Sequence, residues 1–271
     1  MRYEKLYDGT YIPVLGFGTS TLGGGLSADR SRDEESVAII REAVDAGYRH
    51  IDTAQLYGGG HTEELVGKAI SSLVREQLFI TTKVRSSDLA YHKVHRALES
   101  SLERLGTSYV DLYLIHWPNP VIPLKNTFKA FNELLKKGSV RYAGVSNFSV
   151  SQVQRAQELS DAPIATNQVE YSVGSRGPER NGVQPYCREQ GILITAYEPL
   201  GKGGLIGNGV LRKVADRHRV STAQVALAWL LARPGVITIP MTSKNSHLRD
   251  NLASLDLELE DRDFQLLEQV G

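Results

Sequence analysis

The feature that most constrains this chain is an alternation of short β-rich runs with helical runs along nearly its whole length. Parallel strands need a crossover, and a helix supplies it, so the alternation marks a parallel α/β architecture. The chain opens on a hairpin over Tyr3 to Pro13 that turns at Asp8-Gly9. Strands are expected at Val14–Phe17, Arg49–Asp52, Leu78–Lys83, Val110–His116, Val140–Val145, Ile164–Val169, Ile192–Ala196 and Val236–Ile239.

The helical runs carry their own punctuation. Ser31 and Glu34 have the spacing of a capping box for a helix from Asp33 that ends at Gly47. A second helix begins near Glu63. In the third, Val94, Leu98, Leu102 and Leu105 share one face and Gly106 ends the run. A fourth, Leu124 to Lys137, stops at Gly138. Ser149 with Gln152 boxes another, and Ser221 with Gln224 caps the helix Ala223 to Ala232. Residues 208–218 and 260–270 read as two auxiliary helices outside the repeat. Eight strands, each followed by a helix, fit a closed (β/α)8 TIM barrel better than an open sheet. At 271 residues, with no linker, charge block or low-complexity stretch, residues 1–271 read as one such domain.

A doubly wound dinucleotide fold would need G-x-G-x-x-G after its first strand. Gly16-Phe17-Gly18-Thr19-Ser20-Thr21 lacks the third glycine, so any nicotinamide cofactor must be held by barrel loops. Lys plus Arg (31) balances Asp plus Glu (31), which leaves no global field to draw in nucleic acid or an anionic membrane. The lone Cys187 allows no internal disulfide and reads as a packed thiol. With a charged start at Met1 to Lys5 and only strand-sized apolar runs, the expected location is cytoplasmic.

In a barrel of this kind the working residues sit at the C-terminal ends of the strands. Those positions hold Asp52, Lys83, His116, Ser146, Asn147, Gln168 and Tyr197, with Tyr57 in the loop after Asp52. Phe79, Thr81 and Lys83 share one strand face, as do Leu112, Leu114 and His116. Reduction of a carbonyl by hydride leaves an alkoxide that needs a proton from a positioned acid. A free phenol titrates near ~10 and needs a neighbouring cation to serve at neutral pH. Lys83 can supply that charge if Asp52 keeps it ionised, and His116 can orient the carbonyl. No metal is implied. Taken singly, Asp52 with Lys83 reads equally as a buried ion pair, Tyr57 as an exposed aromatic and His116 as a core histidine. Their convergence on one rim favours chemistry.

At these residues the sequence resembles the aldo-keto reductase family, nearly end to end. The segments concerned are Gly47 to Tyr57, Glu63 to Gly67, Thr82-Lys83, Leu114 to Pro118, Gly144 to Phe148 and Asn167 to Tyr171. The resemblance implies NAD(P)H-dependent reduction of aldehydes or ketones by a tetrad of Asp52, Tyr57, Lys83 and His116, with Tyr57 as general acid. It further implies that Ser146, Asn147 and Gln168 hold the nicotinamide carboxamide and that Tyr197 stacks on its ring. By itself Tyr197 reads as well as a core aromatic. The stretch Leu200-Gly201-Lys202-Gly203-Gly204-Leu205, otherwise a glycine-rich turn, would fold over the pyrophosphate, with Leu200 and Gly201 touching cofactor. Thr242, Ser243, Lys244 and Asn251 would hold the adenosine end. The alternative from another class is a nicotinamide-binding sensor subunit with little turnover. A monomer is expected from the resemblance alone.

Three departures from the family pattern carry further expectations. Gly58-Gly59-Gly60-His61-Thr62 lengthens the loop after Tyr57, and His61 reads as an exposed loop histidine. Met241 and His247 stand where the family usually has lysine and arginine against the 2′-phosphate, so NADPH with possible use of NADH is expected. The chain ends soon after its last helix, which points to an open substrate site rimmed by residues 22–27, 117–123 and 171–182, with Leu22 and Trp117 in the pocket.

Overall fold

The computed structural model describes residues 1–270. Its main sheet has eight parallel strands: β3 (Phe17–Gly18), β4 (His50–Asp52), β5 (Phe79–Val84), β6 (Val110–Ile115), β7 (Val140–Ser146), β8 (Thr166–Glu170), β9 (Leu193–Tyr197) and β10 (Val236–Thr238). They lie side by side in chain order. The sheet closes on itself where Leu15 bridges Thr238 in parallel, and Gly16 N and Gly18 N donate to the carbonyls of Thr238 and Pro240. A Cβ at Gly18 would stand 2.6 Å from the Ile239 carbonyl oxygen, so the seam admits no side chain there. The first expected strand is therefore displaced: Val14 to Phe17 runs along the seam, but only Phe17–Gly18 pairs regularly with β4.

β1 (Tyr3–Lys5) and β2 (Tyr11–Pro13) form the expected hairpin, with Gly9 at φ 90° in its turn. Leu6, Ile12 and Val14 pack with Phe79, Leu112, Leu114, Tyr142, Ala165, Leu193 and Ile237 in one buried cluster. The hairpin thus plugs the end of the barrel opposite the site. A second, larger cluster lies between the strands and the helices around them, where Ile80, Val84, Tyr113 and Ile115 meet Val94, Leu98, Phe128 and Phe131.

Helices α1 (Asp33–Ala46), α3 (Tyr91–Leu105) and α4 (Leu124–Lys137) end at Gly47, Gly106 and Gly138, each in the left-handed region that favours glycine. Ser149 and Ser221 form full capping boxes for α5 (Val150–Leu159) and α9 (Thr222–Leu231). The Ser31–Glu34 box does not form. Ser31 instead bonds Asp29 Oδ1, and Arg32 takes the cap position without capping the helix through its side chain. Helix α2 (His61–Ile70) begins earlier than Glu63, and α6 (Gly177–Arg180) and α7 (Val183–Glu189) follow β8. The auxiliary helices are α8 (Gly209–His218) and α11 (Asp261–Leu267), with α10 (Asn245–Ala253) after β10. Among the described residues no helix is long and apolar enough to cross a membrane.

Candidate active site

The strand register brings the expected residues to one mouth. Gly18 pairs with Asp52, Asp52 with Thr81, Lys83 with Leu114 and Ser146 with Gln168, so the strand ends form one rim. The parity expectation holds. Phe79, Leu112 and Leu114 lie in the barrel interior, and Lys83 follows on the same face as Phe79.

Lys83 is wholly buried. Its Nζ donates to Asp52 Oδ1 at 2.5 Å, to the Thr53 carbonyl at 2.9 Å and to the Tyr57 hydroxyl at 3.2 Å, which uses all three ammonium protons. The second Asp52 oxygen accepts from Gln168 Nε2 at 2.8 Å. Burial alone would drive Lys83 toward the neutral amine, yet Asp52 and then Tyr57 outweigh it and hold the ammonium's pKa above its ordinary value.

Tyr57 and His116 pack edge to face, ring centres 5.6 Å apart. Burial, reinforced by the nearby Asp52 charge, raises the Tyr57 pKa despite the opposing pull of Lys83. Lys83 pulls the phenol toward acidity, as expected for that pair, but desolvation wins in the protein alone. Burial, then the Lys83 charge, pushes His116 down to about 3, so it stands as a neutral imidazole. Its buried Nδ1 has no partner.

A cavity of about 890 Å³ opens from this floor. Asp52, Tyr57, His116, Trp117, Ser146, Asn147, Gln168, Tyr197 and Leu200 line its inner part. It extends past Lys202 and Gly203 to residues 221–223 and on to Met241, Thr242, His247, Asp250 and Asn251. Asn147 sits at φ 62° after β7. Its amide donates to Ser146 Oγ and the His116 carbonyl, and its oxygen accepts from the Tyr197 hydroxyl.

Some expected residues fall elsewhere. Leu22 is buried in the hydrophobic core and borders a small polar cleft of about 200 Å³ instead of the main cavity, because the turn at Gly23 and Gly24 carries it inward. Residues 171–182 do not line the cavity; Tyr171 is buried against Trp229 and bonds Glu179. Gly201, Ser243 and Lys244 are exposed outside the lining, with Ser243 facing the small cleft. His61 is buried, not exposed. Sequence reasoning missed Glu198, Ser221 to Ala223 and Asp250. Glu198 directly follows Tyr197 beyond β9, a position that could have drawn notice, whereas the cap residues of α9 gave no sign of facing the cavity.

A model of the Aldo/keto reductase family matches residues 14–271. The chain belongs to the aldo-keto reductase family. It is accordingly an oxidoreductase that reduces carbonyl groups. Among its relatives, a glyoxal reductase of Bacillus subtilis (strain 168) is 38% identical over 269 residues, covering 98% of this chain and 92% of that one. The thermostable aldo-keto reductase Tm1743, solved with the inhibitor epalrestat, superposes with a TM-score of 0.97 at 45% identity and full coverage of both chains. An aldo/keto reductase from Klebsiella pneumoniae, solved with NADP and acetate, gives a TM-score of 0.90 at 33% identity, covering 98% and 93%. These similarities favour the reductase over a sensor subunit.

Proposed function

We propose that this aldo-keto reductase uses a nicotinamide cofactor to reduce small aldehydes and dicarbonyls, with Tyr57 as the proton donor. The observation that carries the reading is the Lys83 ammonium bonded at once to Asp52 and to the Tyr57 hydroxyl, on the floor of the cavity that His116 also lines.

The cavity suits a dinucleotide. It is elongated, its inner end offers the side chains of Ser146, Asn147 and Gln168, and the Tyr197 ring borders it. Glycines 201 and 203 have positive φ where the chain turns beside it, leaving backbone free to approach a pyrophosphate. When bound, the dihydronicotinamide supplies the hydride. The chain's own task is the proton. Tyr57 donates it to the developing alkoxide, and Lys83, already hydrogen-bonded to the phenol oxygen, stabilises the phenolate left behind. Asp52 keeps Lys83 charged. His116, neutral, has one N–H with which to orient the carbonyl oxygen.

The far end of the cavity supports dual use of NADPH and NADH. Met241 and His247 line it in place of a lysine and an arginine, and the Asp250 carboxylate faces the same space. Asp250 suits a ribose diol and opposes a phosphate, and His247 lacks the guanidinium fork with which an arginine would bind one. On the substrate side, the half-exposed Trp117 beside His116 gives an open apolar wall. Such a wall favours small neutral carbonyls; the relative from B. subtilis named for glyoxal acts on one such compound.

The test is oxidation of NADPH and of NADH by the natural chain across small aldehydes, dicarbonyls and a bulky steroid ketone. Turnover of the small carbonyls with both cofactors is expected, and Met241→Lys with His247→Arg should raise the preference for NADPH. Activity confined to the steroid, or an affinity ratio above about a thousandfold for NADPH (about 4 kcal/mol), would contradict it.

A further inference from the structure

His61 opens α2 immediately beyond the glycine run that follows Tyr57. Its side chain is 3% exposed and both ring nitrogens are engaged. Nε2 lies 2.7 Å from Asp33 Oδ1 at the start of α1, and Nδ1 lies 2.7 Å from Glu64 Oε2. A neutral imidazole has one N–H and one lone pair, and here the lone pair would point at a carboxylate oxygen. Only the imidazolium satisfies both carboxylates. Glu64's carboxyl is held below its ordinary value first by its hydrogen bond from His61. The charged groups around the ring are Asp33 from α1, Glu64 from α2 and Arg30 from the loop before α1. Arg30 reaches Glu64 at 3.3 Å and Asp33 at 3.9 Å, and Arg104 of α3 lies across Gly60.

The glycine run joins this bridge to Tyr57. Gly58, Gly59 and Gly60 all have positive φ, 58°, 65° and 103°, and carry no side chains with which to anchor the loop. The loop is held by Gly58 N donating to the Gly25 carbonyl at 2.7 Å. Gly25 belongs to the segment that leads to Arg30 and Asp33, which His61 ties down. Gly23 in that segment leaves room for the imidazole; a Cβ there would stand 3.1 Å from His61 Cδ2. The two walls that confine the Tyr57 loop therefore meet at one buried ring.

We propose that His61 is a positioning residue for Tyr57, a bridge from Asp33 to Glu64 through both ring nitrogens that fixes the glycine loop. The inference rests on Tyr57 being the proton donor.

The experiment measures kcat and KM for a small aldehyde, with the natural chain, His61→Gln and Asp33→Asn. In His61→Gln kcat should fall about tenfold with KM changed less than about threefold. In Asp33→Asn kcat should fall in the same sense with KM again little changed, since the bridge loses one of its two anchors. A His61→Gln enzyme with natural kcat overturns the proposal. A readout free of folding defects is the long-range 1H–15N spectrum of the natural chain near neutrality. Two protonated nitrogens on His61 support the bridge, and a single neutral tautomer overturns it whatever the rates. Tyr57→Phe should keep the doubly protonated spectrum while losing turnover, so failure of the Tyr57 assignment and failure of the bridge give different results.

Discussion

Replacing Asp52 by asparagine should uncouple the charge of Lys83 from its burial. In the natural chain Lys83 is 0% exposed, and among the described residues Asp52 is the only carboxylate paired with it, 2.5 Å away. Removing one partner of a buried pair costs about 3–5 kcal/mol, because the other charge is left without compensation. The loss has a ceiling, since the lysine can escape by giving up its proton. From an ordinary value near ~10.4, neutralisation at pH 7 costs about 4–5 kcal/mol at about 1.36 kcal/mol per unit. A loss of about 3–5 kcal/mol is therefore expected, and its pH dependence identifies the cause. In the natural chain the Lys83 pKa is raised, so its contribution is complete below about 10.4 and fades only as pH climbs through the folded value. In Asp52→Asn the folded pKa falls below the unfolded one. The unfolded state then binds more protons, and stability rises with pH by up to about 1.36 kcal/mol per unit until about 10.4. Urea unfolding of both proteins at several pH values measures this. A loss under about 1 kcal/mol with parallel pH profiles would refute the reasoning.

Other consequences follow from single contacts. Burial holds His50 at about 4 and His116 at about 3, both below the ordinary 6.5, so stability should fall as pH drops below about 6.5. His50→Gln should flatten that acid limb in urea melts. Gly67→Ala should destabilise by more than about 2 kcal/mol, although alanine normally gains about 1 kcal/mol inside a helix. The reason is that the new Cβ would meet the Arg104 carbonyl oxygen at 2.3 Å; a neutral result in thermal melts would contradict it. Cys187 is buried and its thiol is pushed up to about 12, so release of a chromogenic disulfide reagent should track global unfolding and not precede it.

The barrel was legible because its signals are local and repeated. Gly47, Gly106 and Gly138 end helices for a backbone reason that holds in any context, and the boxes at Ser149 and Ser221 close as their spacing implies. Ser31 carried the same spacing and failed because Asp29 offered its backbone and hydroxyl a nearer acceptor. The convergence of Asp52, Lys83 and His116 on one mouth was legible because strand parity and the barrel's rim place them before any distance is known. Leu22 and His61 were misplaced for a shared reason. Both belong to glycine-rich segments whose positive φ values turn the chain inward, and no periodicity reports that. The outer cavity wall at residues 221–223 comes from tertiary packing of α9, which a local pattern does not encode.

Delivery of the proton by Tyr57, bonded to the buried Lys83, is tested most directly by single-turnover reduction of a small aldehyde with the natural chain and Tyr57→Phe, with cofactor affinity measured on both. A rate loss of about 100-fold or more is expected in the phenylalanine variant, with cofactor affinity within about twofold. Equal rates in the two proteins, with cofactor bound in each, would show that the proton comes from elsewhere.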